Sequence, residues 1–177
     1  MPDAFIANYR LLAQYNRWLN LRLYGACEQL SDEERKQDRG AFFGSIHRTL
    51  THLVLADKMW LQRFTRQDVA FGALPEALLA MPAGSDYTSD AYPEWSSLRQ
   101  IRDTVDAAVE AWLVEMPPEF LLRAMRYANT EGVQRKHPAW QGLTHFFNHQ
   151  THHRGQVTTL LTQAGVDPGV TDLIALL

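Results

Sequence analysis

A chain of 177 residues that is 46% hydrophobic and 21% charged can bury a core of its own, which excludes a disordered or fibrous polymer and a disulfide-stapled miniprotein. A formal net charge of −3 supplies no basic excess for a run of phosphate contacts, so nucleic acid is not an expected partner. Cys27 is the lone cysteine, which excludes an intrachain disulfide and a cysteine-built zinc site and suits a reducing compartment.

Helical periodicity dominates the chain. From about Asp3 to Leu30, Phe5, Tyr9, Leu12, Asn16, Leu19 and Leu23 recur at helical spacing, with Asp3 placed to cap the segment. Ser31-Asp-Glu-Glu34 has the form of a capping box and starts a short helical turn that Arg39-Gly40 breaks. A second long helix is expected from about Phe43 to Thr65. The stretch from Gln67 to Pro93 holds Gly72, Pro75, Pro82, Gly84 and Pro93, and reads as a long connection with a turn of helix at Ala77 to Met81. Connections of that length are uncommon in compact domains, and a crossover between two parallel helices accounts for it. A third helix is expected from Ser96 or Ser97, boxed by Gln100, to Pro117-Pro118. Ala124–Ala128 and Val133–Lys136 flank Asn129-Thr-Glu-Gly132 and predict a small β-hairpin with Gly132 in its turn. The last helix runs from about Pro138 to Ala164 with Gly165 as its cap, and the apolar tail from Val166 to Leu177 is expected to pack back on the body. The reading is one all-α domain over residues 1–177: a four-helix bundle with a long connection between its second and third long helices and a small hairpin before the fourth. No stretch is apolar for long enough to span a bilayer and Met1–Arg10 has no leader pattern, so a cytoplasmic protein with no membrane partner is expected.

The chemistry concentrates in Thr144-His-Phe-Phe-Asn-His-Gln-Thr-His-His-Arg-Gly-Gln156, which holds four of the seven histidines. His145, His149 and His153 are four residues apart and share a helix face, and two imidazoles at that spacing can converge on one metal ion. At about 100° per residue, Gln156, Leu160, His153 and His145 all fall within about 40° of His149, with Phe146 and Val157 just beyond. The apolar members mark this face as the buried one. His152 sits to the side, at a rim. A third ligand must come from another element. In the second long helix His52 lies inside the apolar arc beside Ser45, Thr49 and Ala56, small side chains that leave room around it. His47 lies at the edge near Lys58 and Thr51, so His52 is preferred.

The expected site is therefore His52, His149 and His153. Three neutral imidazoles match Zn, Ni or Fe better than Mg or Ca, and leave a coordination position open for water or a thiol. Two or three buried imidazoles without a metal would need several partners to satisfy their ring nitrogens. The five tryptophans read as core or interface anchors, and Cys27 as a small buried residue. Arg154 and Gln156 are candidates for groups that support the ligands from behind or clamp a substrate, although Arg154 points away from the ligand face and also reads as a plain surface charge; Asp57, on an apolar stripe, pairs with an inward cation or orients a histidine. No phosphate loop, serine elbow or paired-carboxylate motif appears.

At these residues the chain resembles the DinB/YfiT-like family of metal-dependent proteins. The likeness is strongest at Asn148-His-Gln-Thr-His-His-Arg-Gly-Gln156 and extends to Ser45-Ile-x-x-Thr-Leu-x-His52 with Trp60, to Tyr15, Asn16 and Trp18, and to Tyr127-x-Asn129-x-x-Gly132. The resemblance implies an up-down-down-up course, a triad at His52, His149 and His153, nickel or zinc as metal, and a homodimer. It also implies a small-molecule substrate, with a low-molecular-weight thiol as the candidate for a metal-dependent thiol transferase or hydrolase-like enzyme. The alternative is a non-catalytic metal-binding dimerisation module.

Overall fold

The apolar spacing of the first segment closes into helix α1, Pro2–Cys27. It stops three residues short of Leu30 because Ser31 must leave helical geometry to act as a cap: its φ is −63° and its ψ 165°. In this computed structural model residues 2–86 and 88–177 are described, without the side chains of Pro2 and Asp3, so the cap expected at Asp3 lies outside the described residues. Ser31 and Glu34 form the reciprocal capping box of the short helix α2, Asp32–Lys36.

Helix α3, Ile46–Thr65, begins three residues later than the expected Phe43. Ser45 is its cap, accepting from the Arg48 N–H, and Gly44 before it has φ 78°, a conformation closed to most side chains. Phe43 is thereby released from the helix. Among its described residues, the connection that follows contains one helix, α4, Glu76–Leu79. Helix α5, Trp95–Glu115, starts earlier than Ser96, with Glu94 at the cap position and no side-chain cap bond, so the box predicted with Gln100 is not formed. A 3-10 turn, Pro118–Leu122, leads into the hairpin, β1 (Ala124–Ala128) and β2 (Gln134–Pro138). The strands are antiparallel, with Ala124 opposite Pro138 and Ala128 opposite Gln134. Strand β2 feeds directly into helix α6, Ala139–Gln163. The chain is thus mostly helical, with six α-helices and one two-stranded sheet among the described residues. Among the described residues, no helix is long and apolar enough to cross a membrane.

Helix α3 packs between α5 and α6, and α1 covers the other side of both. Gly142 lets α6 approach α3 closely, since a Cβ there would stand 3.1 Å from the Phe64 ring. The apolar interior falls into two clusters. One gathers Tyr9, Trp60, Phe64, Val109, Trp112, Leu143 and Phe146; the other gathers Leu19, Leu23, Leu50, Leu53, Leu98, Val157 and Leu161. The tail closes part of the second cluster, where Leu173 and Leu176 pack and the Tyr15 hydroxyl donates to the Thr171 carbonyl.

Near the junction of the two clusters lies a layer of buried polar groups drawn from all four long helices. Arg102, 2% exposed, donates to Asp57 Oδ2 at 2.7 Å and to Asp106 Oδ1 at 2.8 Å. Asn16 and Asn20 of α1 donate to Asp106, and Arg154 of α6 donates to Asn16. Burial works against the Arg102 charge, but Asp106 and Asp57 together outweigh it and hold its pKa above the usual guanidinium value. Burial pushes the Asp57 carboxyl up to about 6, against the pull of Arg102. Arg154 is not the surface charge predicted from the wheel: it is buried because α1 covers a second face of α6. Asp57 pairs with the inward cation Arg102, the first of its two expected roles.

Arg102→Leu strands two buried carboxylates and is expected to cost about 3–5 kcal/mol, with Arg102→Lys intermediate because one ammonium cannot reproduce the fork. Urea denaturation of the two variants checks both values.

Candidate metal centre

Helix α3 carries His52 at its packed face, and α6 carries His149 and His153 on successive turns toward it. The Nε2 atoms of His52 and His153 lie 3.3 and 3.2 Å from Nε2 of His149. One ligand atom from each ring falls within 4.8 Å of the others, an arrangement that could hold a metal ion. The rings meet at angles of 51°, 75° and 66°, so they present edges to a shared centre instead of stacking. His52 and His153 are 6% and 8% exposed, and His149 is half-buried.

The protonation pattern follows from the surroundings. The Gln156 carbonyl oxygen lies 2.8 Å from His153 Nδ1 and can only accept, so Nδ1 carries the hydrogen and Nε2 turns a lone pair to the centre. Burial, with His153 and His52 next, drives the His149 pKa down to about 3. Burial also lowers His153, although the bond to Gln156 opposes it. His149 and His153 are thus neutral near pH 7, the form in which imidazole ligates. The three clustered donors are all imidazole nitrogens, which fits a borderline transition ion and not Mg²⁺ or Ca²⁺.

The neighbours were only partly foreseeable. Phe43 lies over His52, 4.0 Å between centroids at 23°, and touches His153 at 5.5 Å. It therefore fills part of the room that the small residues around His52 were expected to leave. The signal for this was Gly44-Ser45, which ends the helix before Phe43. His152 sits exposed at the rim, 3.4 Å from Gln156 Nε2, as its wheel position indicated. His145 shares the helix face but not the cluster; its ring rests 4.7 Å from Trp60 and 5.8 Å from His149. His47 is 3% exposed and not at a polar edge, because the segment before α5 covers it and its Nε2–H donates to the Tyr92 carbonyl at 2.7 Å. His137 contacts the Tyr127 hydroxyl within the hairpin.

Because His149 is held below the free histidine value of 6.5, the unfolded chain binds the extra proton first as pH falls. Metal-free protein should therefore lose stability from about pH 6.5 down toward pH 3, and His149→Gln should flatten that slope. Thermal melts across the pH series measure it.

The sequence model of the DinB family matches residues 1–177. Protein DinB of Bacillus subtilis (strain 168) is 26% identical over 162 residues, covering 91% of this chain and 88% of that protein. The crystal structure of a DinB-like protein from Bacillus cereus ATCC 10987 superposes with a TM-score of 0.63 at 23% identity, over 95% of this chain and 96% of that one, a likeness of fold. With the family pattern running the full length and three histidines gathered between α3 and α6, the chain belongs to the DinB family.

Proposed function

We propose that the protein is a metal-dependent enzyme whose His52, His149 and His153 bind one divalent transition ion, Ni, Zn or Fe, and whose substrate is a low-molecular-weight thiol or water. The observation that carries this reading is the convergence of the three Nε2 atoms with the His153 hydrogen committed to Gln156. A divalent ion bound there supplies a Lewis acid with a coordination position left for a thiol or water. The protein's own part is to hold three neutral donors at fixed angles. Gln156 selects the His153 tautomer, Phe43 keeps solvent from one face of His52, and the helix pair sets the separation of the rings.

The same proposal takes the four long helices as a bundle of up-down-down-up course, supported by their order through the two apolar clusters: α1 and α6 run from the first to the second, α3 and α5 from the second to the first. It also takes the protein to be a cytoplasmic homodimer, a pairing supported by the exposed Val170, Ile174 and Leu177 of the tail.

His149→Ala and His153→Ala should each abolish stoichiometric metal while the helical circular dichroism persists. Elemental analysis of protein purified without a histidine tag decides it, and undiminished metal in both variants overturns the proposal. Gln156→Ala should weaken metal affinity by roughly tenfold to a hundredfold, with Gln156→Glu restoring most of it. Competition against a chromophoric chelator reads the affinity. Turnover of thiol conjugates by metal-loaded but not chelated protein separates an enzyme from a metal-binding module.

A further inference from the structure

The geometry points to a second ligand site: a pocket between the carboxyl end of α3 and strand β1 that binds the multiply charged oxyanion of a small molecule, a phosphate or a cluster of carboxylates. The pocket has a volume of about 310 Å³ and is lined by Arg63, Arg66 and Arg126, with Gln62, Gln67 and Tyr127 among its walls and no acidic residue. That is the low end of the size range of small-molecule sites, roughly 300–1,000 Å³. Among the described residues, no carboxylate comes within ion-pair distance of any of the three arginines. Other arginines without a carboxylate partner are scattered, as Arg10 on backbone carbonyls and Arg154 on Asn16 are, whereas these three share one concavity. A protein of net charge −3 does not lack carboxylates, so three unpaired guanidinium groups around one concavity call for a ligand from outside.

The pocket is also preformed. Arg63 is half-buried, its guanidinium carbon 4.7 Å from the Trp60 ring centre and 4.6 Å from that of Tyr127. Aromatic contacts take up the faces of a guanidinium and leave its N–H edge free to meet an oxyanion in bidentate fashion. Gln67 fixes the second wall. Its amide donates to the carbonyls of Arg63 and Arg126 and its oxygen accepts the Arg126 N–H, tying β1 to the end of α3. The dipole at the end of α3 amounts to about half a negative charge and favours cations at Arg63 and Arg66. It does not account for Arg126, which comes from the hairpin and is brought to the same pocket.

This site does not depend on the metal reading and is tested on metal-free, full-length protein. Isothermal titration calorimetry at low ionic strength with inorganic phosphate, and separately with citrate, should give saturable one-to-one binding of at least one anion. The tighter of the two assigns the site to phosphate-bearing or carboxylate-bearing ligands. Arg63→Gln and Arg126→Gln should each weaken binding by about tenfold, the worth of one charge-assisted contact. Arg126 is exposed and its strand bonds are made by the backbone, so this variant reports even if loss of Arg63 disturbs the aromatic pair. Arg99→Gln, on α5 and paired with Glu28, should leave affinity unchanged. Absence of saturable binding by both anions, or full affinity in Arg126→Gln, overturns the proposal. Tight binding of a single-stranded oligonucleotide that phosphate fails to displace also overturns it, because it assigns the face to nucleic acid.

Discussion

The fold turns on one buried cation. Arg102 holds Asp57 of α3 and Asp106 of its own helix at once, and Asp106 in turn receives Asn16 and Asn20 of α1. A charge taken this far from water is tolerable only while its hydrogen-bonded partners stay in place, so α1, α3 and α5 have little freedom to rotate about their axes. Helix α6 is tied in through Arg154, which reaches Asn16. An apolar core alone would accept several rotations of each helix at similar cost; a buried layer of ion pairs and hydrogen bonds accepts few.

That constraint passes directly to the histidines. Arg154 follows His153 in sequence, and one residue turns a helix by about 100°, so fixing Arg154 against α1 aims His153 at the neighbouring seam with α3. Asp57 stands five residues beyond His52, about 140° around the helix, and fixing Asp57 against Arg102 aims His52 at the same seam from the other side. Three imidazoles meet there, and His149, desolvated by burial and flanked by His153 and His52, has its pKa driven down to about 3. The clustered histidines and the clasp residues occupy adjacent faces of the same two helices, and the cost of crowding the first is carried by the rigidity of the second.

Much of this was legible in the sequence, and the reasons for the rest are physical. The four-residue spacing of His149 and His153 depends only on helix geometry, so the wheel placed both correctly relative to each other. His52 could be preferred over His47 because the arc of α3 is apolar around it. What a single wheel cannot contain is a second packing partner. Arg154 looked exposed because one face of α6 was assigned to the core, whereas α1 and α3 each bury a face. His47 looked peripheral for the same reason, since its cover is the irregular segment carrying Tyr92, and periodicity says nothing of irregular segments. The start of α3 was misplaced by three residues even though Gly44-Ser45 marked it, because the apolar spacing continues backward through Phe43. That residue belongs to the site and not to the helix.

Two arginines of this molecule, Arg102 and Arg63, constrain what a ligand can be. Arg102 has its counter-charges built in and serves the fold; Arg63 has aromatic rings on it and no carboxylate, and its charge is left to meet something else. Both Arg63 and His52 are on α3, eleven residues apart, which is about 16 Å along the axis at 1.5 Å per residue. A phosphate or citrate ion is too short to touch both. A single molecule could join the arginine pocket to the histidine cluster only if it were extended, with an anionic end separated from its reacting atom by a chain on the order of ten bonds. Trp60 and His145 lie in contact along that line, between the two positions, and offer such a chain an aromatic surface. Short thiols and free water meet no such requirement, so the length of the ligand, more than its charge, separates a protein with one long substrate from a protein with two independent sites.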